Sequence, residues 1–243
     1  MITLNTIIYE GNYNDFLNHN CWFFTIESNY ITKKQITVNN LTSFDLFNQK
    51  VKELKETYDF DVIFVSEYEE ITKDFFKLNL SPSDVGYYYT FPYFVSLYNT
   101  TTKYFFNVAS DCMNIINLNE DYFKLSLEEL DKNDTCLTTT INWDPNPSVP
   151  EAEEVDTIIK LGLNFNKSKN FYYRYGFSDQ FFLGNTERLK LSNWNVDEKM
   201  SSRYYFGPSY CGNCFEKIMV GIHIESNLYS LVYKKNNYYY LHR

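Results

Sequence analysis

What most constrains this chain is an alternation, through its amino-terminal half, of short β-branched or aromatic runs with amphipathic stretches of helical period. Ile2–Tyr9 reads as a first strand, and Asn12–Asn20 as a short helix with an Asx-type start. Cys21–Ile26 and Gln35–Asn39 read as further short strands. Ser43 is placed to cap a helix, because its hydroxyl can satisfy an orphan amide and apolar residues follow at Phe44, Phe47, Val51 and Leu54. Asp61–Ser66 is expected to be a buried strand, and a helix around Tyr93–Tyr98 delivers the chain into another at Lys103–Ala109. Strands spaced by helices close into a sheet covered on both faces. The expected class is therefore α/β, with a mixed, mostly parallel central sheet flanked by helices.

In such a sheet a ligand sits in the crevice beyond the carboxyl ends of the strands. The run YFFNVASDCMN, Tyr104–Asn114, is apolar and aromatic until it stops at Ser110 and Asp111. That puts a carboxylate just past a strand end, where it either caps a turn or faces the ligand, and the residues alone leave both open.

Composition removes several alternatives. The 22 Lys and Arg against 31 Asp and Glu give a net charge of −9, which argues against a reader of the phosphate backbone, so no nucleic-acid partner is expected. No segment approaches the roughly 18 uncharged apolar residues of a membrane-crossing helix. The start, MITLNTIIYEGNYNDF, has neither a basic region nor a small-residue cleavage site, so a cytoplasmic chain is expected. Five cysteines then read as reduced thiols. The spacing Cys211-Gly212-Asn213-Cys214 is half a zinc site with no second half. The chain's 23 Tyr and 21 Phe admit two readings, sugar-stacking platforms or core and compositional drift.

The segment DPNPSVPEAEEVD, Asp144–Asp156, holds three of the six prolines and an acidic run, and reads as an exposed lid or crossover. Beyond it lie an apolar segment at Phe177–Leu183, a candidate helix at Phe215–Ile224, and two strand-like runs, Tyr229–Tyr233 and Tyr238–Leu241. The last two are joined by Lys235-Asn236-Asn237 as in a hairpin.

Four signatures in order resemble the GT-A glycosyltransferases, in particular those of bacterial and viral polysaccharides. KYFFNVASDCMN, Lys103–Asn114, resembles that family's strand and metal-binding DxD motif, except that Ala109 stands where the first carboxylate would be. RYGFSDQFFLG, Arg174–Gly184, is similar to its glycine-containing loop and acidic-Gln segment. YCGNCFEK, Tyr210–Lys217, resembles the late segment in which a catalytic carboxylate opens a helix, and the terminal YYYLH puts His242 where many members keep a metal-binding histidine.

The resemblance implies a single GT-A, Rossmann-like domain over residues 1–243, with a nucleotide-sugar half to about residue 115 and an acceptor half from about 116. It implies a hexosyl- or deoxyhexosyltransferase of polysaccharide biosynthesis that uses a UDP-sugar donor and a glycan or glycolipid acceptor. The mechanism implied is inverting, with a carboxylate general base. Hard Mn²⁺ or Mg²⁺ on oxygen ligands would neutralise the leaving diphosphate, with Asp111 and His242 as its protein ligands. Glu216 matches the base, and Asp179 is the second candidate, as base or acceptor-orienting group. Tyr9, Glu10, Asn39, Ser110 and Asp111 are expected around the nucleotide. Asn40 and Asn114 could add hydrogen bonds, and Trp143, Trp194, Tyr204 and Tyr205 fall in the acceptor half. Two alternatives remain: a non-catalytic glycan-binding module derived from such an enzyme, which the missing first Asp permits, and a sugar nucleotidyltransferase, which would want a Gly- and basic-rich phosphate loop near the start.

Overall fold

The computed structural model describes residues 1–17, 22–84, 86–110, 112–113, 118, 120–141, 170–174, 176–196, 214–234 and 241–242. The chain runs β1 (Ile2–Ile8), α1 (Tyr13–Leu17), a 3₁₀ turn at Trp22–Thr25, β2 (Ile31–Val38), α2 (Phe44–Lys55), β3 (Asp61–Phe64), α3 (Val65–Phe76) and α4 (Tyr87–Asn99). It continues through β4 (Tyr104–Val108), β5 (Cys112–Met113), α5 (Glu120–Lys132), β6 (Cys136–Thr140), β7 (Phe171–Arg174), β8 (Phe181–Asn185), α6 (Thr186–Leu191), α7 (Phe215–Glu225), β9 (Tyr229–Tyr233) and β10 (Leu241–His242).

Eight strands form one mixed sheet in the order β3-β2-β1-β4-β8-β6-β9-β7, and β5 pairs with β10 beside it. β3, β2, β1 and β4 are mutually parallel, β8 is antiparallel between β4 and β6, β9 is parallel to β6, and β7 closes the edge antiparallel. The chain winds outward from β1 to β3 and then returns to the other side of β1 as β4. The order thus reverses between β1 and β4, which places the ligand crevice beyond Ile8 and Val108.

The period of two sorts the side chains. Ile2, Leu4, Ile8, Phe106 and Val108 face one core with Phe47 and Leu54 of α2 and Tyr122, Phe123 and Leu130 of α5. Ile7, Phe105 and Phe182 face the other with Phe94 and Leu97 of α4, Leu189, Trp194, and Phe215, Met219 and Ile222 of α7. Each fully buried Phe or Leu contributes about 1.5–3 kcal/mol. The aromatic surplus is largely spent here: ring centroids of Tyr93, Phe94, Phe177, Phe182 and Trp194 all lie within 4.4–6.0 Å of Phe215.

Several elements depart from the sequence expectations. Cys21–Ile26 is not a strand: residues 22–25 form a 3₁₀ turn in which the adjacent rings of Phe23 and Phe24 are both buried, 5.1 Å apart and edge to face, whereas a strand would send them to opposite sides. β3 stops at Phe64, and α3 follows without a loop because Val65, Thr72 and Phe76 bury one helical stripe. Of the expected carboxyl-terminal hairpin, residues 235–240 lie outside the described residues; β9 pairs with β6 and β7, and Leu241 pairs with Met113. Among the described residues no helix is long and apolar enough to cross a membrane.

Candidate active site

Several of the candidate residues lie at the edge where the sheet order reverses. Beyond β1, Tyr9 is half-buried, its ring edge-on to that of the exposed Tyr89 at 5.9 Å and close enough to Gly11 that a Cβ there would meet it at 2.6 Å. Asn12 stitches this corner: its carbonyl oxygen accepts from the Tyr9 N–H at 2.7 Å, and its amide donates to the Ile7 carbonyl at 3.1 Å and to the Ser110 hydroxyl. Tyr9 and Ser110 are thereby brought together across the crevice. Glu10 is exposed and accepts from the Thr42 N–H at 3.0 Å and hydroxyl at 2.9 Å, tying the β1 and β2 loops.

Asn39 is buried and its amide donates to the Tyr88 carbonyl at 2.7 Å. The cause lies four residues on. Pro92, inside α4, has no N–H to give that carbonyl, so Asn39 supplies the missing donor. Asn40 takes the left-handed conformation with φ 51°.

Asp111 and Asn114 lie outside the described residues, as do Trp143, Tyr204, Tyr205, the Pro-rich acidic segment 144–156, and Cys211 to Asn213 of the half zinc site. Around Asp111 the backbone is informative. The Ala109 N–H donates to the Gln180 carbonyl at 2.6 Å and its carbonyl accepts from Cys112 at 3.1 Å, while His242 pairs with Cys112, the residue that follows Asp111 in sequence. Carboxylate and imidazole are residue types whose donors suit Mn²⁺ or Mg²⁺. Among the described residues no group of three or more His, Cys, Asp or Glu that could hold a metal assembles. Trp194 is core: it is 4% exposed and its indole N–H donates to the Leu189 carbonyl at 3.0 Å. Cys112, Cys136 and Cys214 are buried thiols.

Glu216 and Asp179 are brought together. Cys214 precedes the first turn of α7, the buried Phe215 anchors it, and Glu216 follows half-buried at its opening. Its carboxyl titrates well above the ordinary 4.5, at about 8. Burial is the main cause and the neighbouring Asp179 carboxylate the second, opposed by a hydrogen bond from the Asp179 backbone and by the charge of Arg174. Asp179 lies in the loop entering β8 and caps no helix. A carboxyl raised in proton affinity by burial and by a second carboxyl beside it, at a sheet's ligand edge, is a group able to take a proton near neutral pH.

Sequence reasoning missed Asn12, Tyr89, Asn107 and Tyr93. For Asn107 a signal exists: it interrupts the apolar run of β4, as Asn5 interrupts β1.

No protein-family model matches the sequence, and no curated protein sequence matches it. In structure, the chain is similar to mouse xyloside xylosyltransferase 1, at 12% identity over 96% of this chain and 85% of that one, with a TM-score of 0.51. It is similar to Mycobacterium tuberculosis glucosyl-3-phosphoglycerate synthase in complex with Mn²⁺, UDP and phosphoglyceric acid, at 10% identity over 100% and 70% of the two chains, TM-score 0.52. S. aureus TarS matches at 12% identity and TM-score 0.51 over 99% of this chain and 60% of that one. These three belong to the GT-A fold, and the likeness at such identities is one of architecture. The chain has the GT-A fold of the glycosyltransferases.

Proposed function

We propose that the protein is a glycosyltransferase that moves a hexosyl or deoxyhexosyl unit from a UDP-sugar to a glycan or glycolipid hydroxyl in polysaccharide synthesis. The observation that carries this is the Glu216–Asp179 pair at the carboxyl edge of a GT-A sheet, with Glu216 titrating at about 8. A base poised near the working pH is matched to a proton released in the transition state.

In the proposed reaction the acceptor oxygen attacks the anomeric carbon as the bond from that carbon to the diphosphate oxygen breaks. Glu216 takes the acceptor proton, and the nucleoside diphosphate leaves with the electron pair. Asp179 orients the acceptor and keeps Glu216 basic. A single displacement of this kind inverts the anomeric centre. Tyr9 and Tyr89 offer aromatic faces to the base, and Ser110 a hydroxyl to the nucleotide. Asp111 and His242 would hold Mn²⁺ or Mg²⁺, which neutralises charge on the departing diphosphate when bound. Support comes from the glucosyl-3-phosphoglycerate synthase structure, which contains Mn²⁺ and UDP in the same fold.

Ala109 in place of the first acid of the DxD pattern favours a second reading, a glycan-binding module without turnover. A panel of nucleotide sugars assayed for nucleoside diphosphate release separates the two. Release from one donor supports the enzyme, and glycan binding with no release from any donor supports the module.

A further inference from the structure

Three amides lie side by side in the core at a level where a parallel sheet ordinarily carries Val, Ile or Leu. Asn5 of β1 is in register with Gln35 of β2 and with Asn107 of β4, and the three are 0%, 4% and 0% exposed. They face α4, and their donors all run one way. Gln35 donates to the Asn5 carbonyl oxygen at 3.1 Å, Asn5 donates to that of Asn107 at 2.7 Å, and Asn107 donates to the main-chain carbonyl of Asp179 at 2.8 Å. Thr37 adds a donor to Asn5 at 3.0 Å, its hydroxyl lies 2.7 Å from that of Ser96, and Gln35 also donates to the Ser96 carbonyl at 3.0 Å. A chain of aligned donors polarises each successive bond. Breaking any link strands a buried polar group.

The row ends on Asp179, whose backbone donates to Glu216. A second donor meets it there: the Tyr93 hydroxyl reaches the same Asp179 carbonyl at 3.3 Å. The Tyr93 ring stacks on Phe215, which precedes Glu216, at 4.4 Å and 8°. Tyr93 thus grips both sides of the carboxylate pair, Asp179 through its hydroxyl and the start of α7 through its ring. A network that served only sheet register could end anywhere in the core.

We propose that Asn107 and Tyr93 are positioning residues that clamp the Asp179 backbone against Glu216, with the Gln35–Asn5 row holding Asn107 in place. The inference rests on the reading of Glu216 and Asp179 as the reacting pair. Among the described residues, the charged groups acting on Glu216 from its surroundings are Asp179 and Arg174, and Lys217 follows it on α7. Releasing Asp179 relaxes the two larger influences on Glu216, its burial and the nearby carboxylate, and removes one smaller opposing hydrogen bond. Its titration should therefore move down toward the ordinary carboxylate range.

The test is carbon-detected NMR titration of the Glu216 carboxyl in the wild type, in Tyr93→Phe, which keeps the ring stack and loses only the hydroxyl, and in Asn107→Ala. Thr138→Val, which removes a buried hydroxyl 2.6 Å from Ser230 and away from Asp179, controls for loss of stability alone. The clamp predicts a downward shift in both clamp variants and none in the control. In transfer assays it predicts kcat lowered about five- to tenfold in Tyr93→Phe with donor KM unchanged, on the scale of one lost hydrogen bond. A Glu216 titration unmoved in Tyr93→Phe and Asn107→Ala overturns the clamp, even where the wild type is active. A shifted titration in a protein that turns over no nucleotide sugar leaves the clamp standing and overturns the transferase reading instead.

Discussion

Glu216 carries an energetic conflict that can be measured without knowing the substrate. Its carboxyl is raised from the ordinary 4.5 to about 8, so the fold prefers the protonated acid. Stability from that preference is fully present below about pH 4.5 and is lost as pH rises through about 8, because over this window the folded chain holds a proton that the unfolded chain has released. Glu216→Gln has nothing to ionise there. Its Tm should match that of the wild type at pH 4.5 and exceed it increasingly up to pH 8.5, read by thermal unfolding across that range. A constant difference would mean that the carboxyl titrates normally. The metal belongs to the same scale: UDP binding should require Mn²⁺ or Mg²⁺ and weaken sharply in Asp111→Asn, and calorimetry indifferent to EDTA and to that substitution would remove Asp111 from the metal site. Resemblance to family signatures singled out Glu216 as the candidate base and Asp179 as its alternative or an acceptor-orienting group. Their mutual electrostatics were not legible in the sequence, since residues 37 positions apart meet only once β8 and α7 share the sheet edge.

At the scale of elements, α4 shows how a sequence that looks unfavourable for a helix is accommodated. Pro92 removes the donor for the Tyr88 carbonyl, and Asn39, from the loop after β2, supplies it. Asn39→Ala should therefore cost about 1–3 kcal/mol by stranding that carbonyl. In a Pro92→Ala background, where residue 92 regains its N–H, the same substitution should cost much less. A double-mutant cycle by denaturant unfolding measures the coupling. Additive costs together with a loss of donor affinity would return Asn39 to the nucleotide, as the sequence suggested. The strand–helix alternation was readable because period-two and period-3.6 patterns differ over long windows. It failed at Cys21–Ile26 and at Val65, where short runs of consecutive apolar residues carry no period and long-range packing decides. The cross-strand amide row escaped notice because each Asn looks like an isolated interruption until register aligns Asn5 with Gln35 and Asn107.

Across the whole molecule, the sheet order reverses between β1 and β4, and the loops at that edge bring together Tyr9, Ser110, Asp179 and Glu216 from four separate stretches of chain. Two aromatic-rich cores hold the sheet from either side, so among the described residues the Tyr and Phe chiefly support the scaffold, with Tyr9 and Tyr89 among the aromatic faces at the mouth. The proposed activity is sugar transfer at this edge with Glu216 as base. It is tested most directly by comparing sugar transfer to acceptor glycans by the wild type and by Glu216→Gln, with donor binding followed in parallel. With Glu216 as base, the wild type transfers sugar, the variant keeps its donor affinity, and the variant rate is roughly 10²- to 10⁴-fold lower, the usual contribution of a general base. Equal rates in the two proteins would contradict it.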